Sequence, residues 1–256
     1  MDTTPEARPP AAAAETGPRA VRPAAALLQR LWYGVAQLLV EVVCRIAWRV
    51  DIVGQENVPK TGAFVLAPVH RSNIDTLLAG CVTRRRMRFM AKDGVWKYKL
   101  IGKVLGSLGG FPVHRGMPDR EALRTCEAAL RAGEPVVLFP EGRRRFGPVV
   151  QELFDGAVFV AGRAGVPIVP VGIGGSEWAM RKGNRMIYPV KVAMTIGEPI
   201  EVPSSSEGRV TRPQVRKSTE ALQAELQRLF DDAMVRAGRT PSGYSASGGS
   251  DPGTEG

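Results

Sequence analysis

The order of hydrophobic and polar positions sets one long apolar segment apart from the rest of the chain. Residues 25–49 are apolar over most of a helical surface, and Trp32, Tyr33 and Trp48 lie near the two ends. Aromatic rings of this kind suit the boundary between a membrane and water. The segment therefore predicts a helix that lies in a membrane interface, with a helix packed on the core of the domain as the alternative.

After residue 49, short runs rich in Val, Ile and Phe alternate with helical patterns. Strands are expected at residues 50–54, 63–69, 86–91, 135–139, 166–173 and 190–196. Helices are expected at residues 120–132, with Asp119 as N-cap and Gly133 as stop, at about 152–164, and at 213–236. This alternation predicts an α/β domain built on a largely parallel, mixed sheet flanked by helices.

The composition of the two ends differs from that of the middle of the chain. Residues 1–24 are dominated by Ala and Pro, and residues 239–256 by Gly, Ser and Pro. Such segments bury too little apolar surface to offset the entropy of ordering, so both are predicted to be disordered tails. The folded domain is expected to cover residues 50–238, preceded by the helix at 25–49.

Two observations bear on membrane insertion and on the redox compartment. The 14 residues between Arg30 and Arg45 are interrupted by Glu41 and fall short of the roughly 20 apolar residues that a bilayer requires, so no membrane span is expected. The three cysteines are far apart, odd in number and in no C-x-x-C arrangement. They predict buried free thiols in a reducing compartment and no disulfide framework.

The net charge of +10 predicts an anionic partner, which on charge alone could be nucleic acid, an anionic membrane or a phosphorylated substrate. The region from Arg84 to Lys103 concentrates the charge, with eight cations against the single acid Asp93 and with Trp96 and Tyr98 interleaved. This pattern suits lipid headgroups or the phosphates of a donor substrate. It also describes a surface for single-stranded nucleic acid, and a simply solvated face is the third possibility.

His70 is one of only two histidines and follows directly on the predicted strand at 63–69. If Ser72 or Asn73 caps the next helix, His70 lies outside that helix and can fold back toward Asp75. A carboxylate on one imidazole nitrogen fixes the tautomer and leaves the other nitrogen as a general base. The pattern H-x-x-x-x-D is weak alone, and a purely structural pairing also fits it.

Three further motifs strengthen the catalytic interpretation. The sequence reads GGFPVHR at 109–115, FPEGRRR at 139–145 and VPIVPV at 166–171. Taken in order with HRSNID at 70–75, these motifs resemble the four sequence blocks of the glycerolipid acyltransferase family, the PlsC-like 1-acylglycerol-3-phosphate acyltransferases. The chain departs from the family pattern at Arg143 and Arg145, where Thr and Ser are usual.

The resemblance implies roles for individual residues. It implies a catalytic pair, His70 and Asp75, and a set of substrate-binding residues, namely Lys92, Arg115, Glu141, Gly142 and Arg144. For Glu141 the alternative is an ion-paired organiser of the arginines that follow it. Arginines can hold a phosphate through paired charge-assisted hydrogen bonds.

The activity implied by the resemblance is transfer of a fatty acyl group from acyl-CoA or acyl carrier protein to the hydroxyl of lysophosphatidic acid, giving phosphatidic acid. The enzyme is expected to bind peripherally at the cytoplasmic face of the cell membrane, on an anionic surface, without a metal, a cofactor or nucleic acid. Acylation of glycerol 3-phosphate or another lysolipid is the nearest alternative. A hydrolase in which His70 activates water and a basic nucleic-acid-binding protein are the alternatives from other classes.

Overall fold

The fold is given by a computed structural model, in which the described positions are residues 23–92, 106, 109–113, 120–180, 186–204 and 210–240. The predicted disordered tails lie almost wholly outside these positions, as does the predicted N-cap Asp119. The strands are β1 (Asp51–Val53), β2 (Val65–Pro68), β3 (Arg88–Lys92), β4 (Gly110–Val113), β5 (Val136–Val137), β6 (Ile168–Gly174) and β7 (Ala193–Ile196). The helices are α1 (Pro23–Trp48), α2 (Asp75–Gly80), α3 (Arg120–Arg131), α4 (Gly156–Ala164), α5 (Ser176–Ala179) and α6 (Arg212–Arg236).

Within the described part of the chain, the seven strands form one sheet in the order β1-β7-β6-β2-β5-β3-β4. All neighbouring pairs are parallel except β6 and β7, which are antiparallel. The predicted α/β class with a largely parallel, mixed sheet is confirmed. Strands β2 to β6 therefore end at one edge of the sheet, called the carboxyl edge below, and β1 and β7 run in the opposite direction.

Helix α6 lies unusually close to β6, because two glycines leave room for its backbone. A Cβ atom on Gly172 would come within 2.2 Å of the Leu229 backbone, and one on Gly174 within 2.4 Å of the Ala233 backbone. The apolar side chains of α6 are buried against the sheet through this close approach. The helix predicted at 213–236 thus covers the core, as its periodicity indicates.

Two predicted helix ends are set by glycine. Gly133 has φ 81° and Gly165 has φ 66°, the left-handed conformation that ends a helix and that glycine adopts most readily. Helix α4 starts at Gly156 and not near residue 152, since the chain from 146 to 155 belongs to the loop that follows β5.

Helix α1 combines the two alternatives left open by its sequence. On one face Tyr33, Cys44 and Trp48 are buried in the domain, and the Gln37 amide donates a hydrogen bond to the Gly80 carbonyl at 3.0 Å. The other face exposes large apolar side chains: Leu28, Leu31, Trp32, Val35, Leu38, Leu39, Val42, Val43 and Ile46. The helix is therefore part of the core and also presents an apolar surface to its surroundings.

The length of this segment does not by itself exclude a membrane span, contrary to the argument from the sequence. Helix α1 has 26 residues, and its part from Leu31 to Trp48 is long and apolar enough to span a bilayer by length and composition. The two charged residues in this part of the helix form an ion pair. Arg45 Nη2 lies 2.8 Å from Oε1 of Glu41, one helical turn earlier. Because one face of α1 packs on α2, the helix lies along the domain.

Candidate active site

His70 and Asp75 meet at the carboxyl edge, directly after β2. The His70 Nδ1 atom lies 3.1 Å from Asp75 Oδ2, and both side chains are almost fully buried. Because an ionised carboxylate can only accept, Nδ1 donates its proton to Asp75. The other ring nitrogen, Nε2, is then unprotonated and able to act as a base.

The turn that brings the pair together differs from the predicted one, because neither Ser72 nor Asn73 caps α2. Asp75 Oδ2 itself accepts the backbone N–H groups of Arg71 and Ser72, each at 2.6 Å. The Ser72 hydroxyl instead donates to the Met180 carbonyl at 2.9 Å, which joins the turn to the loop after β6. The Asp75 carboxylate thus also stabilises the turn that carries His70.

The first part of the loop after β5, residues 138–145, contacts both the backbone N–H and the backbone carbonyl of His70. The Glu141 carboxylate accepts the His70 N–H at 2.8 Å, and the Arg145 N–H donates to the His70 carbonyl at 2.8 Å. The Phe139 ring stacks on the imidazole, with centroids 4.2 Å apart and planes inclined by 27°. The third sequence block therefore fixes the position and ring plane of the first block's histidine.

Glu141 is fully buried and its carboxylate faces the Arg71 guanidinium. Arg71 was not predicted from the sequence to be a site residue. Arg71 Nη1 lies 3.6 Å from Glu141 Oε1, and Arg71 Nη2 donates to the Val149 carbonyl at 3.1 Å. The guanidinium also lies over the Phe230 ring of α6, 4.7 Å from its centroid. Burial raises the pKa of the Glu141 carboxyl above its ordinary value, and Arg71 and the His70 N–H offset this only in part. Glu141 is thus ion-paired, but with Arg71 and not with the arginines that follow it.

The other predicted substrate-binding residues are placed to different extents. Gly142 has φ 66°, and a Cβ atom there would come within 2.6 Å of the Phe154 ring, so the position requires glycine. Arg144 is half-buried on the same loop. Lys92 ends β3 at the carboxyl edge, while its side chain, like the whole of Arg115, lies outside the described positions.

A small apolar cleft of about 120 Å³, open to solvent, lies between α1, α2 and the β3–β4 end of the sheet, and neither His70 nor Asp75 lines it. Thr76 and Leu77 of its wall directly follow Asp75. The full lining is Tyr33, Ala36, Gln37, Val40, Thr76, Leu77, Gly80, Phe89, Met90 and Gly110. Its composition suits a hydrocarbon chain.

The beginning of the basic cluster is not part of this site. Arg84 to Arg88 precede or begin β3, at the edge of the sheet opposite to His70. Arg85 donates to the Pro59 carbonyl at 2.8 Å, and Arg88 pairs with Glu134 at 2.8 Å. These arginines therefore make contacts within the fold, far from any donor phosphate at His70. The rest of the cluster, residues 93–103, lies outside the described positions.

The three cysteines are free and buried, as their spacing predicts. The Cys81 thiol after α2 donates to the Leu77 carbonyl at 3.5 Å, and Cys44 of α1 lies in the same buried core cluster. Burial raises the pKa of Cys126 to about 12, so its thiol stays protonated and unreactive.

The chain is similar to known acyltransferases. The sequence profile of the family described as Acyltransferase matches residues 49–174, which include His70, Asp75 and the loop after β5. A 1-acyl-sn-glycerol-3-phosphate acyltransferase from Bacillus subtilis is 28% identical over 190 residues, covering 74% of this chain and 92% of that protein. A chloroplastic protein of the same description from Brassica napus is 30% identical over 162 residues, 60% of this chain but only 45% of that protein.

A solved structure shares the fold. The crystal structure of the 1-acyl-sn-glycerophosphate (LPA) acyltransferase, PlsC, from Thermotoga maritima superimposes with a TM-score of 0.64 and 24% identity, covering 79% of this chain and 86% of that one. At this identity the likeness speaks for the fold alone. The family match over residues 49–174 shows that the chain contains an acyltransferase domain, and its relatives are named 1-acyl-sn-glycerol-3-phosphate acyltransferases.

Proposed function

We propose that this protein transfers a fatty acyl group from the thioester of acyl-CoA or acyl carrier protein to the free hydroxyl of lysophosphatidic acid, giving phosphatidic acid for phospholipid synthesis. The observation that carries the proposal is the His70–Asp75 pair, whose aspartate begins the helix that forms one wall of an apolar cleft. A base and an apolar cleft connected through one helix suit a reaction between an acyl donor and a lipid hydroxyl. The names of the relatives from Bacillus and Brassica support the acceptor.

In the proposed step, His70 Nε2 accepts the proton of the acceptor hydroxyl while the hydroxyl oxygen attacks the thioester carbonyl. The C–O bond forms, the C–S bond breaks, and the leaving thiolate takes the proton back from His70. Asp75 holds the imidazole in the required tautomer and stabilises the imidazolium that forms. Since the thioester is already activated, no covalent enzyme intermediate and no cofactor is needed.

The phosphate of the acceptor is proposed to bind the arginines of the second and third blocks, Arg115 and Arg144, with Lys92 at the same edge. Glu141 supports the site from inside, because its carboxylate is fully buried and holds the His70 N–H. We propose that Glu141 is a positioning residue in this protein.

Membrane association is proposed to be peripheral, at the cytoplasmic face of the cell membrane. The exposed apolar face of α1 would lie in the interface, while its other face stays on the domain. Buried free thiols suit a reducing compartment, and the net charge of +10 suits an anionic surface.

The proposal is tested by acyl transfer with the purified full-length protein. Both donors are offered to lysophosphatidic acid, glycerol 3-phosphate and a neutral lysolipid, and each reaction is repeated without acceptor. We expect lysophosphatidic acid to be preferred, and we expect His70→Ala to lower kcat by about 10²–10⁴-fold with an unchanged melting temperature. Equal release of free fatty acid with and without acceptor would show a hydrolase, and near-normal activity of His70→Ala would overturn the mechanism.

A further inference from the structure

Residues 186–188, called the apolar loop below, expose three large side chains in a row. Met186 is 61% exposed, Ile187 57% and Tyr188 39%. A run of large apolar side chains on a surface usually marks a place of interaction. Nothing in the acyl-transfer step itself requires this loop.

The backbone of the apolar loop is fixed between α1 and the catalytic turn. The indole N–H of Trp48, the last residue of α1, donates to the Tyr188 carbonyl at 3.2 Å. The Tyr188 N–H donates to the Ala179 carbonyl at 2.8 Å, one residue before the Met180 carbonyl that accepts the Ser72 hydroxyl. The loop therefore lies at the carboxyl edge, beside the end of α1 and close to His70.

The charge that flanks the loop in the sequence favours an anionic partner. From Trp178 to Gly197 the sequence contains four basic residues, Arg181, Lys182, Arg185 and Lys191, and no acidic one. Basic residues next to exposed Tyr and Ile are complementary to an anionic lipid surface, where the ring lies at headgroup level and the cations meet phosphates. The loop is also continuous with the end of α1, where Ile46 is 77% exposed.

We propose that the apolar loop is a second lipid-contacting element, which enters the surface of an anionic bilayer beside α1. This inference rests on the proposed function in one respect, the assignment of the exposed face of α1 to a membrane. Two contacts on different elements define the orientation of the domain, which a single helix does not. The carboxyl edge then faces the bilayer, and a lipid acceptor reaches His70 with its acyl chain still in the membrane.

The depth of the loop is measured with a fluorescent probe that shifts to the blue in an apolar environment. Ile187→Cys in the full-length protein provides the attachment site, because the three native cysteines are buried. Val53→Cys is the matched control, since Val53 is 40% exposed and ends β1 at the opposite edge of the sheet. With vesicles of phosphatidylcholine and phosphatidylglycerol we expect a blue shift at position 187 and none at position 53. Bound protein without a shift at 187, or with equal shifts at both positions, overturns the proposal.

The contribution of the loop to affinity is measured by vesicle sedimentation. Met186→Ser with Ile187→Ser should weaken binding to the same vesicles by about tenfold, while Val53→Ser should bind like the wild type. Unchanged binding of the double variant overturns the proposal and is the result expected if the loop docks on a protein. A wild-type protein that does not bind vesicles also overturns it.

An activity comparison separates this inference from the proposed function. The double variant should retain its rate on a detergent-dispersed acceptor and lose about tenfold on an acceptor embedded in vesicles, in line with its weaker binding. A loss in detergent as large as the loss on vesicles would mean a damaged catalytic site and would overturn the inference. If the wild type acylates no acceptor in either form, the proposed function fails, and the probe and sedimentation results still decide the role of the loop.

Discussion

His70 is held at its backbone N–H and carbonyl by Glu141 and Arg145 of the loop after β5, and at its ring by Asp75. The N–H contact is the unusual one, because Glu141 places a carboxylate in the core next to the partly offsetting charge of Arg71. Buried ion pairs of this kind contribute little net stability, since desolvation cancels much of the attraction. Their value here is geometric, because they define where the imidazole lies.

The raised pKa of Glu141 has a consequence for folding stability. Since burial raises this pKa, the folded state binds more protons than the unfolded state at pH values between the two pKa values, and stability falls as pH rises through that window. Glu141→Gln removes the titration. The stability of the wild type relative to Glu141→Gln should therefore be greatest below the ordinary pKa of Glu and should decrease as pH rises, as measured by urea unfolding from about pH 4 to pH 8.

Glu127 offers a matched control, because its pKa is shifted in the opposite direction. Partial burial acts to raise its pKa, but hydrogen bonds from Arg163 and Arg131 outweigh burial and lower it. The stability of the wild type relative to Glu127→Gln should hence increase as pH rises. If the Glu141 series also increases with pH, Arg71 holds Glu141 ionised and the assignment to burial is wrong.

At the residue scale the sequence predicted that His70 and Asp75 meet, but not the contacts that support them. His70 and Asp75 are five positions apart, and their meeting depends on one turn. The contact between Arg71 and Glu141 joins residues 70 positions apart and exists only because β2 and β5 are neighbours in the sheet. The capping prediction failed because the Ser72 hydroxyl donates to the Met180 carbonyl, 108 positions further along the chain, and so does not cap α2.

At the scale of elements, the contact of α6 with β6 depends on the absence of a side chain at Gly172. An added Cβ would meet the Leu229 backbone, which cannot move without shifting the whole helix. Gly172→Ala should therefore lower the free energy of unfolding by about 1–3 kcal/mol, the usual cost of overfilling a packed core. Gly34→Ala in α1 is the control, since no atom lies within 4 Å of its added Cβ. Urea unfolding of both variants gives the comparison, and equal stability of the two would contradict a tight contact of α6 with β6.

The hydrophobic pattern predicted a helix well where only one face of the helix is apolar. It did not predict how a helix packs where both faces are apolar. Helix α6 has a single apolar stripe, and its limits were predicted within a residue. Helix α1 is apolar on its buried and its exposed face, so its periodicity could not show which face meets the domain. Short elements such as α2 and α5 are set by tertiary contacts and leave little trace in the sequence.

At the scale of the whole molecule, α1 has two neighbours at once. Its buried face forms one wall of the apolar cleft, and its exposed face is proposed to meet the bilayer. The cleft is therefore closed on one side by the same helix that would anchor the protein. A hydrocarbon chain in the cleft would lie between α1 and the sheet, against the helix that Asp75 begins.

This arrangement predicts how the protein selects acyl-chain length. Ala36 lines the cleft from α1, whereas its neighbour Val35 is 63% exposed on the other face. Ala36→Phe should fill part of the cleft and lower kcat/KM for long-chain donors by about tenfold or more, since each methylene that loses its place in an apolar pocket costs about 1–3 kcal/mol. Short-chain donors, which do not reach that depth, should react at nearly the wild-type rate.

Val35→Phe is the matched control for that experiment. It adds a ring to the same helix one position away, outside the cleft, and should leave the preference for chain length unchanged. The measurement is kcat/KM over a series of acyl-CoA donors of increasing length, with detergent-dispersed acceptor so that membrane binding does not enter. A parallel loss for all chain lengths in Ala36→Phe would show that the substitution disturbs the catalytic turn through α2. An identical change in both variants would mean that the cleft does not hold the acyl chain.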